Sequence, residues 1–240
     1  MNKLNAIYVS LAALVVAVIA MVMCIVCCSK DKSAAVEQVL NDKPELVINA
    51  MQNYEQKMRD EAQKKAQEMV EENAEALNNN PNDGFIGNPD GKVVLVEFFD
   101  FSCGFCHRIY PAIKSIVAKN PDVKVVAKTM TFVAPVSSYA AKAALAAKNQ
   151  GKFAEMYKAL FEAKGPLTET KIDEIAVLNG LDLEKLKADM ESDQVKQTLN
   201  DAAELAGKIQ VSGVPTLVLN GKILQTLDEN VIQQAIDAAK

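Results

Sequence analysis

Cationic residues are in short supply. Against 31 Asp and Glu there are only 26 Lys and Arg, a net charge of -5, so the chain has no surplus cation with which to neutralise phosphates, and nucleic acid is excluded as a partner. Histidine is scarcer still. His107 is the only one, which rules out multi-histidine metal sites and any Ser-His-Asp triad built on another imidazole. Tryptophan is absent, and the five cysteines are unevenly spread. With 240 residues, half of them apolar, the chain has room for an anchor and one domain of ordinary size, not for two full domains beside a membrane segment.

The run from Ala6 to Cys28 carries no charge. As a helix it would reach roughly 35 Å at ~1.5 Å per residue, enough to span a hydrocarbon core of about 30 Å. A cleavable signal ending near Ala20 is the competing reading, but apolarity continues through Met21, Val22, Met23, Ile25 and Val26, which favours an uncleaved membrane anchor over residues 1–29. Cys24, Cys27 and Cys28 sit in this run without polar neighbours and read as apolar membrane cysteines. Lys3 and the amino terminus on one side nearly balance Lys30 and Lys32 on the other, so charge does not fix the orientation.

Between Asp31 and Asn82 there is no glycine, and Pro44 is the single proline before Pro81. The segment reads as helix, with Asn41-Asp42-Lys43-Pro44 as start signals and Val47, Ala50, Met51, Tyr54, Met58, Ala62, Ala66 and Met69 recurring at helical spacing. The apolar stripe is thin and the other faces are dense with charge, so such a helix does not stand alone. Residues 30–82 are expected to be a helical stalk, serving either as a solvated spacer or as an oligomerisation segment. The turn residues Asn78 to Gly84 mark the expected domain boundary.

The remainder, 83–240, reads as one α/β domain. Lys92 to Phe99 is an apolar run broken only by Glu97, as expected of a central strand buried on both faces. A helix follows from near Cys103, then a second strand from Val123 to Thr129, completing a β-α-β unit. From about 137 to 210 no strand pattern appears, and Gly151, Gly165-Pro166 and Asn179-Gly180 divide the stretch into several helices. Two short strands, Thr216 to Leu219 and Lys222 to Thr226, flank Asn220-Gly221, a dipeptide preferred in type I′ hairpins. A last helix is expected from Glu229 to Ala239. This order is that of a thioredoxin fold with an inserted helical subdomain, preceded by a transmembrane helix and a stalk.

The chemistry is concentrated at Cys103-Gly104-Phe105-Cys106-His107. Cys-x-x-Cys is a redox dithiol, whereas Cys-x-x-Cys-His is also the attachment site of a c-type haem. A buried strand feeding directly into the motif and a helix leaving it favour the dithiol, because a helix N-terminus stabilises a thiolate. A structural zinc site would need two further ligands, and 83–240 holds no other cysteine or histidine. The alternative from another class is thus a haem electron carrier. No metal or organic cofactor is implied by the dithiol reading.

Val96-Glu97-Phe98-Phe99-Asp100-Phe101-Ser102-Cys103-Gly104-Phe105-Cys106, the helical insertion and Gly213-Val214-Pro215-Thr216 together resemble the DsbA-type thiol-disulfide oxidoreductases of bacterial envelopes. Asn41 to Met58 further resembles the N-terminal segment of the ScsC-like subset. The resemblance implies that Cys103 and Cys106 form the redox disulfide, that Pro215 is cis beside them, and that Val214, Pro215 and Thr216 bind an extended substrate segment as an added strand. The plainer reading of Pro215 is an ordinary turn proline before a strand. Glu97, six positions before Cys103 in an apolar strand, is placed to accept the Cys106 proton. Lys128 is its implied partner, the alternative being a strand-end lysine in solvent. His107 either tunes the thiolate or is an exposed helix residue without a role.

The resemblance implies a periplasmic domain held in the inner membrane of a bacterium, or a soluble one released by signal cleavage. Its expected partners are cysteine-containing exported proteins, a membrane redox protein that resets the dithiol, and further copies of the chain in a dimer or trimer. The expected activity is disulfide isomerisation, alone or combined with oxidation; the alternative within the class is a monomeric disulfide oxidase.

Overall fold

The computed structural model describes residues 3–240, with side chains described for 13–25 and 35–240. The chain divides into two units between Ala62 and Gln63. In the first, helix α1 (Lys3–Asp42) is followed after Lys43-Pro44 by α2 (Glu45–Glu72), which continues into the second unit. Proline lacks the N–H that would carry α1 onward, and it is tolerated before or within the first turn of a new helix, so the break falls at Pro44. Among the described residues no helix is long and apolar enough to cross a membrane. Both ends of the Ala6–Cys28 run, with Cys27 and Cys28, lie outside the residues whose side chains are described, and Cys24 is exposed. Along α2, Val47, Met51, Tyr54 and Met58 share one face and are exposed.

The second unit carries α3 (Ala74–Asn78), β1 (Gly84–Gly87), β2 (Val93–Phe99), α4 (Gly104–Lys119) and β3 (Val123–Thr129). A run of helices follows, α5 (Ser137–Lys148), α6 (Phe153–Glu162), α7 (Glu169–Leu178), α8 (Leu183–Met190) and α9 (Asp193–Lys208), and then β4 (Thr216–Leu219), β5 (Lys222–Ile223) and α10 (Glu229–Ala238). The sheet order is β1-β3-β2-β4-β5, with β2 parallel to β3 and antiparallel to β4. Side chains alternate across β2. Val93 and Leu95 meet α4 and α10 on one face, and Phe99 on that same face meets the helical insertion. On the other face Val96 and Phe98 pack with Val70, Leu77, Leu205 and Ile209.

That second face corrects the expected stalk boundary at 82–83. Val70 at the end of α2 and Leu77 in α3 are fully buried on the sheet, and Gln67 Nε2 donates to Gly221 O at 2.6 Å. The segment from Gln63 therefore belongs to the domain, because the otherwise bare sheet face needs a cover. Two further differences concern strands. β1, antiparallel to β3, has no counterpart among the strands expected from the sequence, and β5 ends at Ile223 instead of Thr226. The hairpin before it is as read: Asn220 and Gly221 both take positive φ, 43° and 78°.

Lys128 makes the second face an ionic site as well as an apolar one. It is 1% exposed, donating to the carboxylate of Asp83 and to Ala76 O at 2.6 Å. Burial pushes the Asp83 carboxyl up against the pull of Lys128. Removing one partner of such a pair strands a charge, so Lys128→Met should lower stability by about 3–5 kcal/mol in urea unfolding. The double replacement Lys128→Met with Asp83→Leu should recover most of that loss.

Candidate active site

Beyond Phe99 the chain turns on a buried carboxylate. Asp100 Oδ1 accepts from Ser102 N at 2.8 Å and from Ser137 Oγ at 2.7 Å, while Oδ2 accepts from Val133 N at 3.0 Å. Its backbone carbonyl accepts from Cys103 N at 3.0 Å. One residue thus closes the turn and ties it to the loop after β3. Cys103 is the N-cap of α4, with φ -81° and ψ 117°, and its side chain makes no cap hydrogen bond. Its thiol instead donates to Val214 O at 3.4 Å. The Val214–Pro215 bond is cis, and Thr216 Oγ1 donates to Gly213 O at 2.7 Å before β4 pairs with Phe98 of β2. Val214 is therefore brought to Cys103, and Pro215 and Thr216 follow it into β4.

Cys103 and Cys106 are unbonded thiols, 7% and 0% exposed. Burial pushes the Cys106 thiol far up; the Asp100 backbone works against this, and Cys103 and Glu97 add to it. Glu97 lies on the Phe99 side of β2 and is wholly buried. Its Oε2 accepts from Tyr157 Oη at 2.6 Å, and its Oε1 has no partner. Burial pushes its carboxyl up to about 7, and the Tyr157 hydrogen bond opposes that rise.

The Glu97–Lys128 pair implied by the family resemblance is not made. In the parallel register Glu97 stands opposite Ala127, and Lys128 stands opposite Phe98. The two side chains therefore leave opposite faces of the sheet, and Lys128 turns to Asp83. His107 departs from the reading as an exposed helix residue, for it is half-buried and fastened. Its Nδ1 lies 3.2 Å from Phe161 O and its Nε2 2.8 Å from Phe101 O. A neutral ring can donate to only one of these carbonyls; the imidazolium donates to both. The haem alternative does not fit, because Cys106 is sealed in the core and both imidazole nitrogens are engaged by backbone.

Residues 78–238 match the family described as thioredoxin. The chain belongs to the thioredoxin family. It is 35% identical to a thioredoxin-like oxidoreductase from Silicibacter pomeroyi, with a TM-score of 0.66, over 69% of this chain and 96% of that one. Proteus mirabilis ScsC in a transitional conformation is similar at 25% identity and a TM-score of 0.65, over 88% of this chain and 96% of that one. The probable disulfide bond formation protein D of Bacillus anthracis is 27% identical over 165 residues, covering 63% of this chain and 76% of the relative. Curated relatives named Na(+)/H(+) antiporter NhaA 1, such as that of Mycolicibacterium gilvum at 35% identity, are spanned over only 23% of their length.

Sequence reasoning missed Asp100, Tyr157 and Asp83 as site or supporting residues. Asp100 carried a local signal, since an aspartate two positions before a serine at a strand end suits an Asx turn. Tyr157 carried none, being one aromatic on an amphipathic helix. The buried Glu97 carboxyl has a measurable signature. Its native value of about 7 lies above its ordinary 4.5, so the native state binds the extra proton between those pH values and loses stability as pH rises through them. The displacement is worth about 3 kcal/mol. Urea unfolding should show that fall from pH 4.5 to 8, and Glu97→Gln should remove it.

Proposed function

We propose that the chain is a thiol-disulfide oxidoreductase of the DsbA and ScsC type, acting on cysteines of exported proteins. The observation that carries this is the placement of Cys103 at the start of α4, 3.4 Å from the Val214 carbonyl of the cis-proline loop, with Cys106 sealed in the core within electrostatic reach of Glu97. The Cys103 thiolate attacks a client disulfide, forming a mixed disulfide with one client sulfur while the other leaves as thiolate. Cys106 then attacks Cys103 Sγ, the client thiolate leaves, and the Cys106 proton passes to Glu97. Exposed Phe105, Phe132 and Val133 offer apolar surface to an unfolded client, Arg108 stacking 4.0 Å over the Phe105 ring. Val214 offers backbone for strand-like pairing.

Disulfide exchange of this kind belongs in an oxidising compartment, so the domain works in the periplasm, with the Ala6–Cys28 run as its inner-membrane anchor or export signal. A membrane redox protein resets the dithiol. The exposed face of Val47, Met51, Tyr54 and Met58, and the likeness to ScsC over 88% of the chain, support assembly into a dimer or trimer through the stalk. Tethered sites raise the effective concentration of the second site on a scrambled client, which favours isomerisation over simple oxidation.

Two experiments test this reading. In the reduced protein, iodoacetamide at pH 6 should label Cys103 well before Cys106, because burial withholds the Cys106 thiolate; equal rates would remove the assignment. For assembly, 30–240 should be compared with 63–240, since cutting at 83 would strip Val70 and Leu77 from the core. The longer form should be oligomeric at tens of micromolar and refold scrambled ribonuclease, and the shorter should be monomeric and isomerise poorly. A monomeric longer form would give the lead to the oxidase reading.

A further inference from the structure

We propose that Tyr157, a residue of the helical insertion, is a positioning residue for thiol exchange: its hydroxyl holds Glu97 in its charged form, with Oε1 free, to receive the proton of Cys106. This rests on the dithiol reading above and deepens it.

The geometry leaves Glu97 little other help. On the neighbouring strands it faces Ala127 and Leu217, both apolar. The helix α5 brings alanines to this core. From α4 come the titratable groups Cys103, Cys106 and Tyr110, and from α6 comes Tyr157. No cation lies among these. Lys128 is on the opposite face of the sheet, bound to Asp83. Among the described residues the Tyr157 hydroxyl, 2.6 Å from Oε2, is therefore the one donor to the carboxyl, while Oε1 is buried and has no partner among them. A hydrogen bond donated to a carboxylate favours its charged form, and in a site closed to water its loss is not made good by solvent. The phenol keeps its own proton, because burial and the Glu97 charge push it well above its ordinary value.

The ring is also fixed. It packs edge-on against Phe99 and Phe161, with centroids 5.3 and 4.8 Å away. The oxygen is consequently aimed by a residue of the insertion wedged against the strand that carries Glu97, so an element outside the dithiol's own helix controls its proton acceptor.

In the step concerned, the Cys106 S–H bond breaks and its proton goes to Glu97 Oε1. The Cys106 sulfur then forms a bond to Cys103 Sγ, and the bond from Cys103 to the client sulfur breaks. The client leaves as thiolate with the electron pair of that bond and is protonated by water. The dithiol is oxidised and the client disulfide reduced. In the reverse direction protonated Glu97 returns its proton to the departing Cys106 thiolate.

The test uses the reduced full chain with Cys24, Cys27 and Cys28 replaced by serine, reacted with 5,5′-dithiobis(2-nitrobenzoate) from pH 5 to 9. Release of the first thionitrobenzoate reports Cys103, and release of the second reports attack by Cys106. Tyr157→Phe keeps the ring and removes the donor. It should leave the first release unchanged, move the pH midpoint of the second up by about one unit, slow it about tenfold at pH 6, and leave its rate at pH 9 unaltered. Replacing Tyr157 by 3-fluorotyrosine, a stronger donor of the same shape, should move the midpoint down. In the Glu97→Gln background neither change should have an effect. Coincident second-release profiles for Tyr157→Phe and its parent would overturn the proposal. A parent chain that never releases the second group would overturn the dithiol reading itself.

Discussion

A carboxyl group sealed in the middle of a sheet has to be reconciled with the absence of water, and the arrangement around Glu97 follows from how that is done. Every flank of the site but one is apolar: Ala127 and Leu217 stand beside Glu97 in the sheet, and alanines of α5 close the core. The remaining flank holds Tyr157 and Cys106. A carboxyl so placed titrates near neutrality and not near 4.5, which matches it to a thiol whose proton must come and go at physiological pH. The same burial raises the Cys106 thiol, and in the proposed exchange these two buried groups are the proton donor and acceptor. Cys103, at the start of α4, contacts the Val214 carbonyl, and in the proposed exchange it is the group that meets a client.

The sheet separates two ionisable problems by the parity of its strands. Glu97 and Lys128 lie on adjacent parallel strands one register step apart, and that step sends them to opposite faces. On the far face Lys128 meets Asp83 and a carbonyl of α3, in a region also filled by Val70, Leu77 and Leu205. The cation expected to serve the dithiol thus fastens the segment leading into the domain. Because removal of either partner leaves a buried charge, that segment is held by electrostatics as well as by apolar contact.

The parts of this arrangement that were legible in the sequence are those written locally. The apolar run before Cys103, the Asn220-Gly221 turn and the glycine punctuation of the insertion each state their conformation within a few residues, and the structure follows them closely. Residues 137–208 form the helical insertion where no strand pattern was found. What could not be read was the pairing of residues far apart in the chain. Tyr157 and Glu97 are 60 positions apart, Lys128 and Asp83 45, and no periodicity links them. β1 escaped because Gly84-Phe85-Ile86-Gly87 has only two apolar residues between glycines; it is defined by its pairing with β3. The stalk boundary was misplaced for a related reason, since the apolar positions of α2 repeat alike whether they meet the sheet, as Val70 does, or stand exposed, as Met51 does.

The account stands or falls on the state of one carboxyl group. Carbon-13 labelling of glutamate side chains, with Glu97→Gln to assign the resonance, allows its titration to be followed directly by NMR in the reduced protein. The prediction is a Glu97 midpoint near 7, with no titration of Cys106 below it. A midpoint near 4.5 would mean that the carboxyl is solvated or paired with a cation, and would contradict its role as the proton acceptor of the dithiol.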